Sequence, residues 1–370
     1  MRAAALALAL AAVGCVHGSG FGGGVPRLPP APVKVFRIAW QRPFVGLRPL
    51  EVDPQEHGGV AVDAEHGLAF VGTRDGWLHA VRRDGTVAWE LRAAGGFGQP
   101  AVSGDTLFAG SSDGHLYAVA VATGKPRWTY DAKEDLSTRP AIAGGTVLVA
   151  SLQDTVFALD AASGAWKWHH RREQKAEGLT ILGAASVQVS EGTAFAAYSD
   201  GFAAALDVAT GAVRWERRVA PAGTHLDVDA LLLDGQRLYA AAYSGAVLAL
   251  DARTGETIWS YEAPGSAQLA LAAGLVVAVT SSSVVGLSRT DGGAIWTAPL
   301  GGAPAGAPAL AGNWVLVPAG SGGLRWLEAS TGRLLRVFEP GTGVSASPGV
   351  APGRVYVLSN GGDLFALDLG

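Results

Sequence analysis

Apolar residues along the chain fall in short runs broken by glycine-containing turns, and one unit recurs. Residues 243–259, Tyr-Ser-Gly-Ala-Val-Leu-Ala-Leu-Asp-Ala-Arg-Thr-Gly-Glu-Thr-Ile-Trp, show it. The run Ala246–Asp251 predicts a strand, Ala252–Gly255 a tight turn, and the residues after it a second strand ending in Trp259. A hairpin turn often needs a positive φ, which costs glycine nothing. The spacing of four from turn glycine to tryptophan recurs at Gly85/Trp89, Gly124/Trp128, Gly164/Trp168, Gly211/Trp215, Gly255/Trp259 and Gly292/Trp296. In a seventh copy, Gly332 is followed by Arg336 where tryptophan would stand. The apolar run ahead of the turn recurs as Trp77–Arg82, His115–Ala120, Thr155–Asp160, Phe202–Asp207, Ala246–Asp251, Ser283–Ser288, Gly323–Glu328 and Asp363–Asp368. Eight strand copies thus accompany seven complete turns, and the eighth copy stops at the end of the chain.

The strand missing from that end is found at the other. Val33–Trp40 is a strand-like run ending in tryptophan, with no partner strand ahead of it. Pairing it with Asp363–Leu369 would close a ring and leave no open edge. A repeat near forty residues with several strands per unit predicts propeller blades. The expected fold is all-β, an eight-bladed β-propeller of four-stranded blades over 33–370, closed by an N-terminal strand in the C-terminal blade. A linear solenoid would carry capping units at its ends rather than a split one. Small residues crowd the inner strands, such as Pro100–Ser103, as a tapering ring requires. The repeated tryptophans are expected between blades. Each would remove ~150–250 Å² from water, at most ~4–6 kcal/mol.

Composition agrees with this and excludes some functions. Charged residues make up 16% of the 370, glycines number 52 and net charge is −4. Low charge argues against disorder, and the glycine count suits a loop-rich β protein. With no basic tract, nucleic-acid binding has little support. Residues 1–14 predict a signal peptide: Arg2 is the only cation, and Ala3–Val13 is too short an apolar run to span a bilayer. The small residues before Cys15, the only cysteine, resemble a bacterial lipobox cut before Cys15 and lipidated (palmitate among the acyl groups) on it. Several acyl chains anchor stably where one does not, at ~0.8 kcal/mol per buried CH₂. Val16 follows, where the common sorting rule reads Asp as inner membrane, so the expected location is the outer membrane. Residues 15–32, rich in glycine and proline, read as a tether.

Spacing between tryptophans shows where extra chain lies. Trp89 to Trp128 is 39 residues, Trp128 to Trp168 is 40 and Trp259 to Trp296 is 37. Trp168 to Trp215 is 47 and Trp215 to Trp259 is 44. The surplus falls in two neighbouring blade-to-blade connections, His169–Gly183 and Arg218–Asp227. Insertions on a rigid repeat usually mark a binding face. The first carries His169, His170, Arg171, Arg172 and then Leu179-Thr180-Ile181-Leu182; the second leads into Asp227-Val228-Asp229. Leu179 and Ile181 alternate, as do Asp227 and Asp229, which predicts an exposed apolar anchor beside a carboxylate rim. A further long connection is expected over Gln41–Gly59.

Candidate chemistry is sparse. His169 and His170 would point to opposite faces of a strand and cannot easily share a metal ion. Asp160, Asp207, Asp251 and Asp368 recur at one repeat position and read as turn-stabilising residues rather than calcium ligands. No catalytic constellation, metal set or phosphate loop is visible. The repeat Asp-Ala-x-Thr-Gly-x-x-x-Trp resembles the docking motif of the quinoprotein (PQQ) alcohol dehydrogenases. Those enzymes use a ring of two adjacent cysteines beside the quinone, and this chain has one cysteine in all. Lipobox, tether and eight blades together resemble the BamB family, lipoproteins of the outer-membrane β-barrel assembly machinery, over nearly the whole mature chain. The match is closest at Asp227-Val228-Asp229, Ala242–Ala246 and Ala249-Leu250-Asp251. The resemblance implies a non-enzymatic scaffold without cofactor, on the periplasmic face, that docks onto the POTRA domains of the insertase BamA. It places partner contacts at Leu179, Ile181, Asp227 and Asp229, and Leu182 where the family has Arg. A propeller binding a polysaccharide or peptide, and a quinoprotein-like dehydrogenase, are the alternatives.

The lipobox reading makes one direct prediction. Cys15→Ser should move the protein from the membrane to the soluble fraction with its melting temperature unchanged. Unaltered membrane retention and unaltered mass of the mature chain would contradict it.

Overall fold

The computed structural model describes residues 35–46, 55–172, 185–220, 227–243, 245–265, 268–272 and 274–370. The signal segment 1–14, the tether 15–32 with Cys15, and Leu179, Ile181 and Leu182 lie outside the described residues. Residues 60–92, 101–131, 141–171, 188–218, 228–262, 268–299 and 309–338 form seven sheets, each of four antiparallel strands paired in chain order. The eighth sheet joins Gly349–Ala351, Arg354–Leu358 and Asp363–Leu369 from one end of the chain to Phe36–Pro43 from the other. There Phe36 stands opposite Leu369 and Pro43 opposite Asp363, with a bulge between Ile38 and Trp40. The Gly370 amide donates to the Val35 carbonyl at 3.2 Å. The expected eight-bladed propeller and its closing pair are both present, with the closing strand running three residues further than Trp40.

Each blade is hydrophobic on both faces because each is packed between two others. The second strands show it: Leu68–Gly72, Thr106–Gly110, Thr146–Ala150, Thr193–Ala197 and Arg354–Leu358 are buried at every residue. A continuous apolar run is what such a strand needs. Eight apolar clusters fill the seams between consecutive blades. One of them joins blade one (Val60, Val71, Val81) to blade eight (Tyr356, Leu358, Leu364), which closes the circle. Outer strands alternate, as a half-buried edge should: in Thr257–Glu262 only Trp259 is buried.

The tryptophan does not end the outer strand, as its spacing suggested, but is its third residue, at the bulge against the third strand. From there it reaches across the seam. Each indole Nε1–H donates to a carbonyl of the next blade: Trp89 to Val121, Trp168 to Val208, Trp215 to Ala252 and Trp296 to Ala329, at 2.7–3.0 Å. Trp128 and Trp259 do the same to Ala161 and Arg289. The ring lies on the next blade's turn glycine. A methyl group at Gly124 would come within 2.4 Å of Trp89, at Gly211 within 2.7 Å of Trp168 and at Gly332 within 2.3 Å of Trp296. The glycine therefore serves twice, for its positive φ and as the floor of a socket. Trp40 joins the series from the closing strand, donating to Arg83 O at 2.9 Å with Gly85 beneath it.

The exception is explained by the split blade. Arg336 would have to enter the turn after the third strand of blade eight, but the outer strand of that blade is Phe36–Pro43, so no turn joins the two. Its guanidinium instead lies over the Phe36 ring at 4.6 Å, and Phe36 packs on Trp326 and Phe338. Asp160, Asp207 and Asp251 each accept from two backbone amides of their turn at 2.8–3.2 Å, as expected. Asp368 differs, because its neighbouring outer strand is Phe36–Pro43 and no hairpin turn links the two. It is held by Arg354 at 2.7 Å and reaches Arg37 of the closing strand at 3.2 Å.

The socket gives a differential prediction. Gly144 and Gly211 both have positive φ, but only Gly211 faces a tryptophan. Alanine at Gly144 should cost only the left-handed strain, ~1–2 kcal/mol. Alanine at Gly211 adds overpacking, another ~1–3 kcal/mol. Denaturant midpoints should fall further for Gly211→Ala; equal midpoints would show that the indole seat is loose.

Candidate functional site

The start of every inner strand faces the axis, and these positions line one open cavity of about 890 Å³. His57, Gln99, Arg139, Gln188, Asp229, Gln268, Ala307 and Ser347, from the approaches to all eight blades, contribute to it. The connections 173–184 and 221–226 lie outside the described residues, but the segments after them return at this mouth, through Ser186 and Asp227. A second chamber of about 310 Å³ shares Gln99, Arg139 and Leu310 with the first and is otherwise lined by inner strands of blades one, two, seven and eight.

Asp227 and Asp229 are brought together here, though not as an exposed alternating pair. Asp227 is 1% exposed, and its carbonyl accepts from the Tyr243 amide at 3.0 Å. Asp229 is the extra residue of a bulge: Val228 pairs with Ala242 and Ala230 with Ala241. The bulge turns its carboxyl toward the axis, where it is half-buried. Burial first, and the neighbouring Asp227 charge second, push the Asp229 pKa up to about 7. Bulges commonly re-aim a side chain at functional positions.

On blade three the same mouth carries Arg139. Its backbone amide donates to Ser186 Oγ at 3.3 Å across the seam. Sequence reasoning missed this residue, although a signal exists. Gln99-Pro100-Ala101, Arg139-Pro140-Ala141, Ala307-Pro308-Ala309 and Ser347-Pro348-Gly349 are one repeat position, and only one copy carries a charge. Among the described residues, no three of His, Cys, Asp and Glu gather as metal ligands would.

The flanks of the longer connection are pinned. His169, His170 and Arg171 belong to the outer strand Trp166–Arg171 rather than to a loop. His170 Nδ1 lies 2.7 Å from the Tyr198 hydroxyl of the next blade, and burial lowers the His170 pKa. Arg172 pairs with Asp200 at 2.8 Å and Glu216 at 2.5 Å and lies 3.9 Å over Phe202. Its charge is thus consumed inside the fold. Arg171 is more exposed, with Glu134 at 3.5 Å. The connection between blades eight and one is likewise held. Gln41–Pro43 are strand residues, and the fully buried Glu56 carboxylate accepts from the Arg74 amide at 2.8 Å. Burial raises the Glu56 pKa to about 7 against the pull of Arg74.

A family model described as outer membrane protein assembly factor BamB matches residues 37–122, 74–285 and 280–370. The chain belongs to the BamB family. BamB of Shewanella oneidensis is 26% identical over 83% of this chain and 70% of its own. BamB of Yersinia pestis is 25% identical over 84% and 70%. Among solved structures, Moraxella catarrhalis BamB superposes with a TM-score of 0.77 at 23% identity, over 90% of this chain and 100% of that one. The quinohemoprotein alcohol dehydrogenase of Comamonas testosteroni also superposes, with a TM-score of 0.73 at 16% identity over 91% and 77%. At such identities both show the fold alone, and the architecture is common to the BamB family and to quinone enzymes.

The Asp229 carboxyl has a consequence for stability. Its pKa rises on folding from 3.8 to about 7, so folding favours the protonated form. Stability then falls as pH rises through that interval and is constant above it with respect to this group. Asn lacks the charge at every pH. Asp229→Asn should therefore melt above the parent at about pH 8, with a smaller advantage at about pH 5. A pH-independent difference in melting temperature would count against the raised pKa.

Proposed function

We propose that the protein is a non-enzymatic, lipid-anchored scaffold of outer-membrane β-barrel assembly, docking onto the POTRA domains of a BamA-like insertase. The reading rests on membership of the BamB family, whose curated relatives are named outer membrane protein assembly factors. It places the lipid on Cys15 and the propeller on the periplasmic face of the outer membrane.

The observation that carries the docking site is the Asp227–Asp229 pair at the cavity mouth, directly after one of the two connections that are longer in sequence than the repeat requires. Two carboxylates this close cannot both ionise cheaply in a desolvated site. A cationic side chain from the partner would relieve that cost, so docking should be coupled to loss of the Asp229 proton. Leu179 and Ile181 would supply the apolar anchor, with the carboxylates as the polar rim. Arg172 is spent on Asp200 and Glu216, so it is not the substitute for the family Arg replaced by Leu182. Arg171 is the better candidate.

Capture of the insertase's periplasmic domains by the purified protein tests this reading. Asp229→Ala, or Leu179→Ala with Ile181→Ala, should weaken capture by roughly thirtyfold, ~2 kcal/mol. Asp227→Ala should lower the melting temperature as well, since that side chain is buried. If both binding variants fold and bind like the parent, the docking face lies elsewhere on the ring.

A further inference from the structure

Arg139 is the unusual residue of the axial cavity. Among the described residues no side chain or carbonyl accepts from its guanidinium, which is absent from the ion pairs and hydrogen bonds that fix Arg172, Arg289 and Arg354. Its side chain is exposed within the cavity, and desolvation by the flanking walls lowers its pKa. It stands between the two chambers with Gln99 and Leu310, and Leu310 is an exposed apolar side chain at 39%. The carboxylates Asp227 and Asp229 belong to blade five, two blades away, and neither pairs with it. An accessible guanidinium with no partner inside the fold, set in a concave site, is free to take an anion.

We propose that the axial cavity is a receptor for the C-terminal end of an extended peptide, with the terminal carboxylate seated on Arg139. A single guanidinium matches a single negative charge through two parallel N–H···O bonds. A phosphate dianion would bring more charge than Arg139 neutralises, into a cavity that also holds two carboxylates. The carboxamides of Gln99, Gln188 and Gln268 and the hydroxyl of Ser347 ring the same space. Gln99 and Gln188 donate to backbone carbonyls, Val60 O at 3.4 Å and Ser186 O at 3.3 Å, and their amide oxygens would accept from the N–H groups of a peptide, which a hydrocarbon chain does not offer. Leu310 offers the last apolar side chain a surface beside the carboxylate. Capture of a chain terminus by a fixed cationic nest is a recurrent mode of peptide recognition. Arg139 lies on another wall of the cavity that Asp227 and Asp229 line, and the proposal stands whether or not Asp229 contacts a partner protein.

Calorimetric titration of the full mature chain tests the proposal. The probes are N-acetyl-Ala-Leu-Leu with a free carboxylate, the same peptide as its C-terminal amide, octanoate and inorganic phosphate. The free acid should bind, and the amide about tenfold more weakly, the loss of one charge-assisted contact. R139Q should weaken the acid by about tenfold and leave the amide unchanged. Octanoate and phosphate should both bind more weakly than the acid peptide. Equal binding of acid and amide, no binding of the acid at millimolar concentration, or unchanged acid binding by R139Q would overturn the proposal. Octanoate or phosphate binding as tightly as the peptide would overturn the choice of ligand. Should R139Q melt well below the parent, the acid-to-amide ratio on the parent chain decides the question alone.

Discussion

The structure depends on one contact made seven times: an indole from one blade seated on the turn glycine of the next. A propeller has no central core, only seams, and a seam between two sheets can slide. The indole prevents this, because its Nε1–H finds a carbonyl at one depth only and its ring fits only where a Cβ is missing. Register within each blade is set by hairpin pairing, and register between blades by this socket. The glycine and tryptophan of one repeat never touch each other. Each faces the neighbouring blade, so the motif is a statement about blade stacking rather than about the turn it spans.

A ring made this way must close, and the split blade closes it at a stated cost in regularity. Its third and outer strands are not joined covalently, so the turn that would receive the preceding tryptophan does not exist. The sequence departs from the repeat where the geometry departs: Arg336 lies over Phe36, and Asp368 gives up its turn for Arg354 and Arg37. Seven indoles and one cation–π contact therefore hold eight seams.

Around the axis the repeat produces a ring of equivalent positions, most of them small or uncharged. Departures from that background stand out because the scaffold beneath them is uniform. Arg139 on blade three and the bulged Asp229 on blade five give the cavity two poles of opposite sign on separate walls. Neither pole is satisfied by the other. Such a cavity is prepared for a ligand or partner that brings its own charges.

Much of this was legible in the sequence. Hairpin periodicity is local, so the third strands from Trp77–Arg82 to Ser283–Ser288 were readable with their final bounds. The surplus of one strand at each end dictated the closing pair, because an unpaired edge is untenable in a ring. Asp227 and Asp229 were readable as a pair beside two long connections. Their environment was not, since one bulge at Asp229 breaks the alternation that would have placed both carboxyls alike. Nor was Arg139, whose meaning lies in what fails to approach it from seven other blades. Sequence determines pairing between neighbours along the chain; only the closed ring decides which side chains from distant blades share the axis, and how much water they keep there.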